Sequence, residues 1–361
     1  MEPKDTVAAT FDRASEVKAF DEMKTGVKGL VDAGNTTIPR IFHNPQASIT
    51  YPKHPSSVTI PTVDLGGVLE SKVTRESVVA KVRDSMERFG FCQVINHGIP
   101  VHIMEKMRDG VRGFHEQDPE VRKTFYSREN KLKYHTNADL HHSPAGSWRD
   151  TFTCFMAPDV PKPEDLPQIC GEIMLEYSKW MMKLGELFFE LLSEALGLKP
   201  NHLKEMDCAK GLFLLCHCFP YCPEPDRTLG GAPHTDRSFL TVLLPGQIGG
   251  LQVLHEGYWI DVPPSPGSLI VNVGDLLQLL SNDKFVSVEH RILANRSKEP
   301  RISVGAFFVH PSPGSKLYGP IKELLSEENL PKYRDTHVQA SNHYVARSLD
   351  GNNSSLSHLR I

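Results

Sequence analysis

The chain has 361 residues, 40 basic against 44 acidic side chains and a formal net charge of -4. Near-neutral charge excludes the basic excess of a dedicated nucleic-acid binder, and no run approaches the roughly 18 consecutive apolar residues of a membrane span. A composition 39% apolar and 23% charged suits a globular chain of two domains, or one large domain with extensions, with ample core. Met1-Glu2-Pro3-Lys4-Asp5 mixes charges without an apolar run, so no signal peptide is expected. Seven cysteines, an odd set at irregular spacing, fit reduced thiols in a cytoplasmic protein better than a disulfide framework.

In chain order, Ala14 to Val31 carries Val17, Phe20, Met23, Val27, Leu30 and Val31 at three-and-four spacing, which predicts one helix stopped by Gly34-Asn35. Pro39, Pro45, Pro52, Pro55 and Pro61 make Ile38 to Pro61 an extended surface segment. Ile60 to Leu65 reads as a short strand, Ser77 to Phe89 as a helix ended by Gly90, and Phe91 to Ile95 as a strand. A helix over about Ile99 to Gln117 and a strand around Trp148 to Phe155 come next, then a proline-rich connection (Pro158, Pro161, Pro163, Pro167). Ile169 to Leu198 is the longest periodic run. Its wide apolar arc, including Met181, Leu184 and Phe188, predicts a scaffold helix packed on something large.

After Gly211 the pattern changes to short runs rich in Val, Ile, Leu and Phe: Leu212–Phe219, Ser238–Leu244, Leu251–Leu254, Tyr258–Val262, Ser268–Val273, Ser287–Leu293 and Ile302–Val309. That rhythm belongs to an all-β sandwich or barrel. Lys322 to Leu330 reads as helix, and the tail from Gly351 is polar. The expected fold class is mixed α/β with a C-terminal antiparallel β-core. The division is 1–165 for an N-terminal helical and strand region, 166–210 for the scaffold helix and linker, 211–311 for the core and 312–361 for a helical tail.

The residues that carry chemistry are His234-Thr235-Asp236 and His290. Positions two apart on a strand share a face, so His234 and Asp236 can converge, and a later strand could bring in His290. Two imidazoles and one carboxylate on one side of a metal form the facial triad of non-haem iron(II) oxygenases. A surface polar pair at a strand start is the plain alternative. Arg301-Ile302-Ser303 favours the triad, because an arginine pointing into a barrel must be paired, and a guanidinium plus a hydroxyl suits one end of a dicarboxylate. Cys216, Cys218 and Cys222 around His217 lack a Cys-x-x-Cys knuckle, which argues against zinc. His141-His142 reads as a solvated surface pair.

The run from Thr228 through His234-Thr235-Asp236, Gly249-Gly250-Leu251-Gln252-Val253, Trp259, Gly274-Asp275, Ser287-Val288-Glu289-His290-Arg291 and Arg301-Ile302-Ser303 resembles plant iron(II)/2-oxoglutarate-dependent dioxygenases. Ile95-Asn96-His97-Gly98-Ile99 and Trp148-Arg149-Asp150-Thr151-Phe152 match the N-terminal half of that family. Leu325-Ser326-Glu327-Glu328-Asn329 with Lys332-Tyr333-Arg334-Asp335 is similar to the branch named after aminocyclopropane-carboxylate (ACC) oxidase homologues. The resemblance implies a double-stranded β-helix (jelly-roll) core, with His234, Asp236 and His290 as iron(II) ligands and Arg301 and Ser303 gripping the distal carboxylate of 2-oxoglutarate. It further implies oxygen as oxidant, ascorbate as reductant, and release of succinate and carbon dioxide.

One departure stands out. The family segment Asn-Tyr-Tyr-Pro-x-Cys-Pro is here His217-Cys218-Phe219-Pro220-Tyr221-Cys222-Pro223. Phe219 replaces a tyrosine that often donates to 2-oxoglutarate, a loss of about 1 kcal/mol. His217 could still hydrogen-bond near the metal. By family analogy Phe307 lines the substrate pocket, with Phe219 a second candidate; core packing is the other role open to Phe307.

The expected activity is hydroxylation, desaturation or demethylation of a small apolar specialised metabolite such as an alkaloid, by a monomer with no nucleic-acid or membrane partner. An ACC-oxidase-like, ascorbate-dependent oxidase and a catalytically silent metabolite-binding protein are the alternatives.

Overall fold

The computed structural model describes residues 11–49, 52, 57–311, 314, 316–337 and 355–361. The N-terminal half runs α1 (Arg13–Met23), α2 (Gly26–Asp32), β1 (Thr62–Asp64), α3 (Lys72–Arg88), β2 (Phe91–Ile95), α4 (Val101–Glu116), α5 (Pro119–Thr124), β3 (Leu132–Thr136) and β4 (Asp150–Ala157). Helices α6 (Gly171–Ala195) and α7 (His202–Glu205) lead to β5 (Gly211–Phe219), β6 (Leu229–His234), β7 (Leu240–Leu244), β8 (Leu251–His255), β9 (Tyr258–Asp261) and β10 (Leu269–Val273). Then come α8 (Asp275–Leu280), β11 (His290–Leu293), β12 (Arg301–Val309), β13 (Leu317–Tyr318) and β14 (Thr336–His337).

Eight strands form one sheet in the order β1-β2-β10-β7-β12-β5-β4-β3, and four form a second in the order β6-β11-β8-β9. All pairings in both sheets are antiparallel except β1 with β2. Strands β1 to β4 therefore belong to the same sheet as the strands beyond residue 211, so the N-terminal half completes the large sheet as well as flanking it. Between the sheets, Phe91, Phe219 and Ile270 of the large one pack with Leu251, Val253 and Ile292 of the small one. The period-two alternation of β5 and β12 separates two environments. Leu212, Leu214, Cys216 and Cys218, with Ile302, Val304, Ala306 and Phe308, face outward and join the main core with α3, α4 and α6. His217, Phe219, Arg301, Ser303 and Phe307 alternate with them and face the interior between the sheets. Met181, Leu184 and Phe188 of α6 are buried in the main core, as their helical spacing predicts. Among the described residues no helix is long and apolar enough to cross a membrane.

Several expectations change. The single N-terminal helix is two helices, because Lys24 (φ 57°) and Gly26 (φ 70°) turn the chain left-handed. The break has a cause in packing: the first amides of α2, Val27 N–H (3.0 Å) and Lys28 N–H (2.8 Å), donate to the buried carboxylate of Asp150. A Cβ at Gly26 would collide with that carboxylate. Tyr134 (3.1 Å) and Thr136 also donate to it through their hydroxyls. Asp150→Ala strands the Val27 and Lys28 amides and the Thr136 hydroxyl, while the Tyr134 hydroxyl keeps the Thr25 carbonyl at 3.0 Å, and we expect a loss of about 3–5 kcal/mol in urea unfolding.

Lys322 to Leu330 is not a helix. Only Lys322–Leu324 makes a 3₁₀ turn, and the side-chain amide of Asn282 ties down the rest of the segment by donating to Asn329 Oδ1 and the Leu330 carbonyl, both at 3.0 Å. Strands β3 and β6 were not among the predicted runs. Leu229-Gly230-Gly231-Ala232-Pro233-His234 lacks β-formers because its backbone is crowded: a Cβ at Gly230 would sit 2.8 Å from the Phe219 ring. Where described, the proline-rich segment contains 3₁₀ turns at Arg40–Phe42 and Pro45–Ser48. The N-terminal Met1 to Asp5 and the start of the polar tail, 351–354, lie outside the described residues.

Candidate active site

His234 is the last residue of β6 and His290 the first of β11, and the two are direct register partners. Asp236 lies beyond the end of β6, so it does not reach His234 by strand alternation, as the sequence suggested. Instead the loop after β6 carries it back, anchored by Asp275 N–H donating to the Asp236 carbonyl at 2.7 Å. Asp236 Oδ1 ends 3.8 Å from His234 Nε2 and 3.6 Å from His290 Nε2. One ligand atom from each of the three residues falls within 4.8 Å of the others.

The remaining atoms are occupied in a way that aims this trio. His234 Nδ1 lies 2.7 Å from the Ala232 carbonyl and His290 Nδ1 3.3 Å from the Val288 carbonyl. A carbonyl only accepts, so Nδ1 carries a proton in both rings, and each Nε2 is the atom turned toward Asp236. Asp236 Oδ2 accepts from Asn272 Nδ2 at 2.8 Å, which leaves Oδ1 to the imidazoles. Surrounding protein, and then His290, hold the His234 pKa well below its usual value although 42% of its side chain meets solvent. Burial opposes ionisation of Asp236, but His290 and His234 outweigh it and keep the carboxyl below its ordinary range. Two imidazoles held through Nδ1, a carboxylate kept below its ordinary range and outer hydrogen bonds that fix orientation fit an octahedral divalent metal with open positions.

Arg301 opens β12 on the same interior face and is 3% exposed. Its Nε donates to the Ile248 carbonyl at 3.1 Å, its Nη1 approaches Ser303 Oγ at 3.5 Å, and its guanidinium stacks 4.6 Å above the Phe219 ring. Among the described residues no carboxylate lies within ion-pair distance of it. Burial, then Arg149, push its pKa down to about 10, so it is still a cation at neutral pH. A buried cation without an anion is costly and fits a site completed by an anionic ligand. In register, Arg301 sits across from Phe219, and Ser303 across from His217, which on its other side faces Thr151. His217 Nδ1 lies 2.9 Å from Thr151 Oγ1, and burial, with Arg149 and Arg301, keeps the ring neutral.

Further along this face, Phe213 stacks on Phe307 (5.0 Å, 11°) and contacts Phe155 (5.2 Å). Phe307 therefore belongs to an aromatic wall. Phe219, 1% exposed, lies under Arg301 among Phe91, Leu251 and Ile292 and is separate from that wall. His141 bonds Asp21 Oδ2 at 3.0 Å on the surface, and Cys216, Cys218 and Cys222 are buried thiols, the first two directed away from His217. Sequence reasoning missed Asn272, Phe213 and Phe155, and it used Arg149 only as part of a motif. The placement of Phe213 four residues before His217, on the same face of β5, was the available signal.

Comparison with known proteins agrees with this geometry. Residues 209–311 match the 2OG-Fe(II) oxygenase superfamily, and residues 60–176 match the non-haem dioxygenase in morphine synthesis N-terminal family. An Arabidopsis thaliana protein named "Probable 2-oxoacid dependent dioxygenase" is 71% identical over 360 residues, covering 98% of this chain and 100% of its own. The Arabidopsis thaliana "1-aminocyclopropane-1-carboxylate oxidase homolog 1" is 58% identical over 367 residues, with 100% of both chains covered. Among solved structures, "JOX2 in complex with 2OG, Fe, and JA" superposes with a TM-score of 0.80 at 26% identity, covering 93% of this chain and 97% of its own. The rice "dioxygenase for auxin oxidation (DAO)" shares the fold with a TM-score of 0.70 at 24% identity, covering 84% of this chain and 100% of its own. The two facing sheets are thus the double-stranded β-helix of these enzymes, and the chain belongs to the 2OG-Fe(II) oxygenase superfamily as a non-haem iron(II)/2-oxoglutarate-dependent oxygenase.

Proposed function

We propose that His234, Asp236 and His290 hold the iron(II), that Arg301 and Ser303 bind the distal carboxylate of 2-oxoglutarate, and that the aromatic wall of Phe155, Phe213 and Phe307 receives a small, largely apolar metabolite. The observation that carries this reading is the buried Arg301 without a carboxylate partner among the described residues, in the interior that also holds the triad. Bound iron and 2-oxoglutarate supply, with oxygen, the oxidising power for hydroxylation, desaturation or demethylation, releasing succinate and carbon dioxide.

The protein's own part is positioning. The Ala232 and Val288 carbonyls fix the two imidazole tautomers, and Asn272 turns Asp236 so that one oxygen faces them. Ser303 and the Ile248 carbonyl orient the Arg301 fork. The apolar ring of Phe219 excludes water beneath the guanidinium, which strengthens its attraction for a carboxylate. His217, kept neutral by burial and tied to Thr151, lies across from Ser303 and so beside the proposed carboxylate clamp. Ascorbate as reductant, a monomeric state and a cytoplasmic location complete the proposal; seven buried thiols suit a reducing compartment that also keeps iron ferrous.

Two measurements bear on this. A screen of apolar metabolites scored by succinate release should find compounds that raise turnover at least tenfold over the uncoupled background. No response across chemically varied scaffolds, in protein that binds iron and 2-oxoglutarate, would favour the silent binding protein. Phe219→Tyr restores a hydroxyl near Arg301 and should tighten 2-oxoglutarate about fivefold, the worth of roughly 1 kcal/mol, in an anaerobic titration.

A further inference from the structure

Arg149 is a second cation in the interior, and neither the fold nor the triad explains it. It precedes β4 on the face that continues through Thr151, the partner of His217. Its guanidinium crosses from the large sheet to the small one: Nη1 lies 3.4 Å from the Gly230 carbonyl of β6, and a Cβ on Gly231 would approach Nη1 to 2.9 Å. Gly231 thus leaves room for this side chain on the strand that ends at His234. Its Nε is buried with no hydrogen-bond partner. Among the described residues no carboxylate lies within ion-pair distance; Asp139 and Asp236 act on it only from farther away.

A guanidinium brought this far into the protein is expensive unless an anion completes it, and its planar fork matches a carboxylate. Charge balance indicates which one. With the site loaded, a divalent metal and two arginines face the Asp236 carboxylate and the dianion of 2-oxoglutarate. Among these groups one positive charge is left over, offset only from farther away by Asp139, and Arg301 already serves the distal end of the co-substrate.

We propose that Arg149 binds a carboxylate of the organic substrate, which makes that substrate a small apolar acid rather than a neutral or basic metabolite. This deepens the proposed function and rests on it. A basic amine such as an alkaloid would meet repulsion from Arg149, whereas an acid can pair there.

The test measures binding without turnover. Calorimetric titrations use full-length protein loaded with manganese(II) and 2-oxoglutarate, and a panel of phenyl-, cyclohexyl- and naphthyl-propanoates with their methyl esters and the matching primary amines. At least one acid should bind tenfold or more tighter than its ester and amine. Arg149→Gln should abolish that preference, Arg149→Lys should keep part of it, and 2-oxoglutarate affinity should change less than threefold in both. Thermal melting adds a readout that a structural role would move the other way: Arg149→Gln should melt at the wild-type temperature or above, since it removes a half-buried charge that has no anion within ion-pair distance among the described residues. Acids binding no better than esters throughout the panel would overturn the proposal. So would a loss confined to 2-oxoglutarate, which would give Arg149 to the co-substrate, or a lowered melting temperature with acid preference intact. Failure of the triad assignment is seen separately, as loaded protein that retains manganese when Asp236 is replaced.

Discussion

Asp236→Ala is expected to lower iron(II) affinity by more than about 100-fold and to abolish 2-oxoglutarate turnover. Loss of an outer hydrogen-bond partner alone costs about 10- to 100-fold in metal affinity, and this change removes the only anionic ligand. The two imidazoles would survive in place, because the Ala232 and Val288 carbonyls hold them independently of Asp236. The loss is therefore local. Its structural cost is one stranded donor, Asn272 Nδ2, about 1–3 kcal/mol. Equilibrium dialysis with iron(II) under argon, alongside a urea melt, separates ligand loss from unfolding.

Arg301→Ala should raise the 2-oxoglutarate dissociation constant by about 30- to 5,000-fold, corresponding to the roughly 2–5 kcal/mol lost when one side of a buried charge pair is truncated. Iron affinity should stay within about threefold, since no ligand atom changes. The ligand-free variant should be as stable as the parent: Arg301 is buried among Phe219, Ile248 and Ser303 with no anion at ion-pair distance among the described residues, and its depressed pKa reports that burial. Arg301→Lys should fall between, keeping the charge but not the two-pronged geometry. Anaerobic titration of the metal-loaded variants with 2-oxoglutarate measures all three. An unchanged dissociation constant in Arg301→Ala would place the carboxylate clamp elsewhere.

Much of this site was legible because its chemistry is unusual for an interior. An arginine and a serine alternating into a β-core, and histidines within β-runs, stand out against the apolar pattern. The convergence was harder to read. Strand alternation gave the right partner for His234 by the wrong route, since Asp236 is returned by a loop whose anchor, Asp275 N–H, leaves no mark in side-chain pattern. Strand β6 was hidden because the close approach of Phe219 and Arg149 demands glycines where β-formers are expected. The split of the first helix at Gly26 depends on Asp150, distant in sequence, and no local periodicity reports it. The C-terminal helix failed for the same reason, as Asn282 claims the backbone and side chain that the segment would otherwise satisfy itself.

The central claim is that His234, Asp236 and His290 form one iron site whose co-substrate extends to Arg301. Its most direct test is anaerobic addition of iron(II) and 2-oxoglutarate to the full-length protein, with visible absorption as the readout. A weak metal-to-ligand charge-transfer band should appear only with both components, vanish in Asp236→Ala, and need far more 2-oxoglutarate in Arg301→Ala. A band that persists in Asp236→Ala, or wild-type protein that binds iron(II) and 2-oxoglutarate without producing one, would contradict the account.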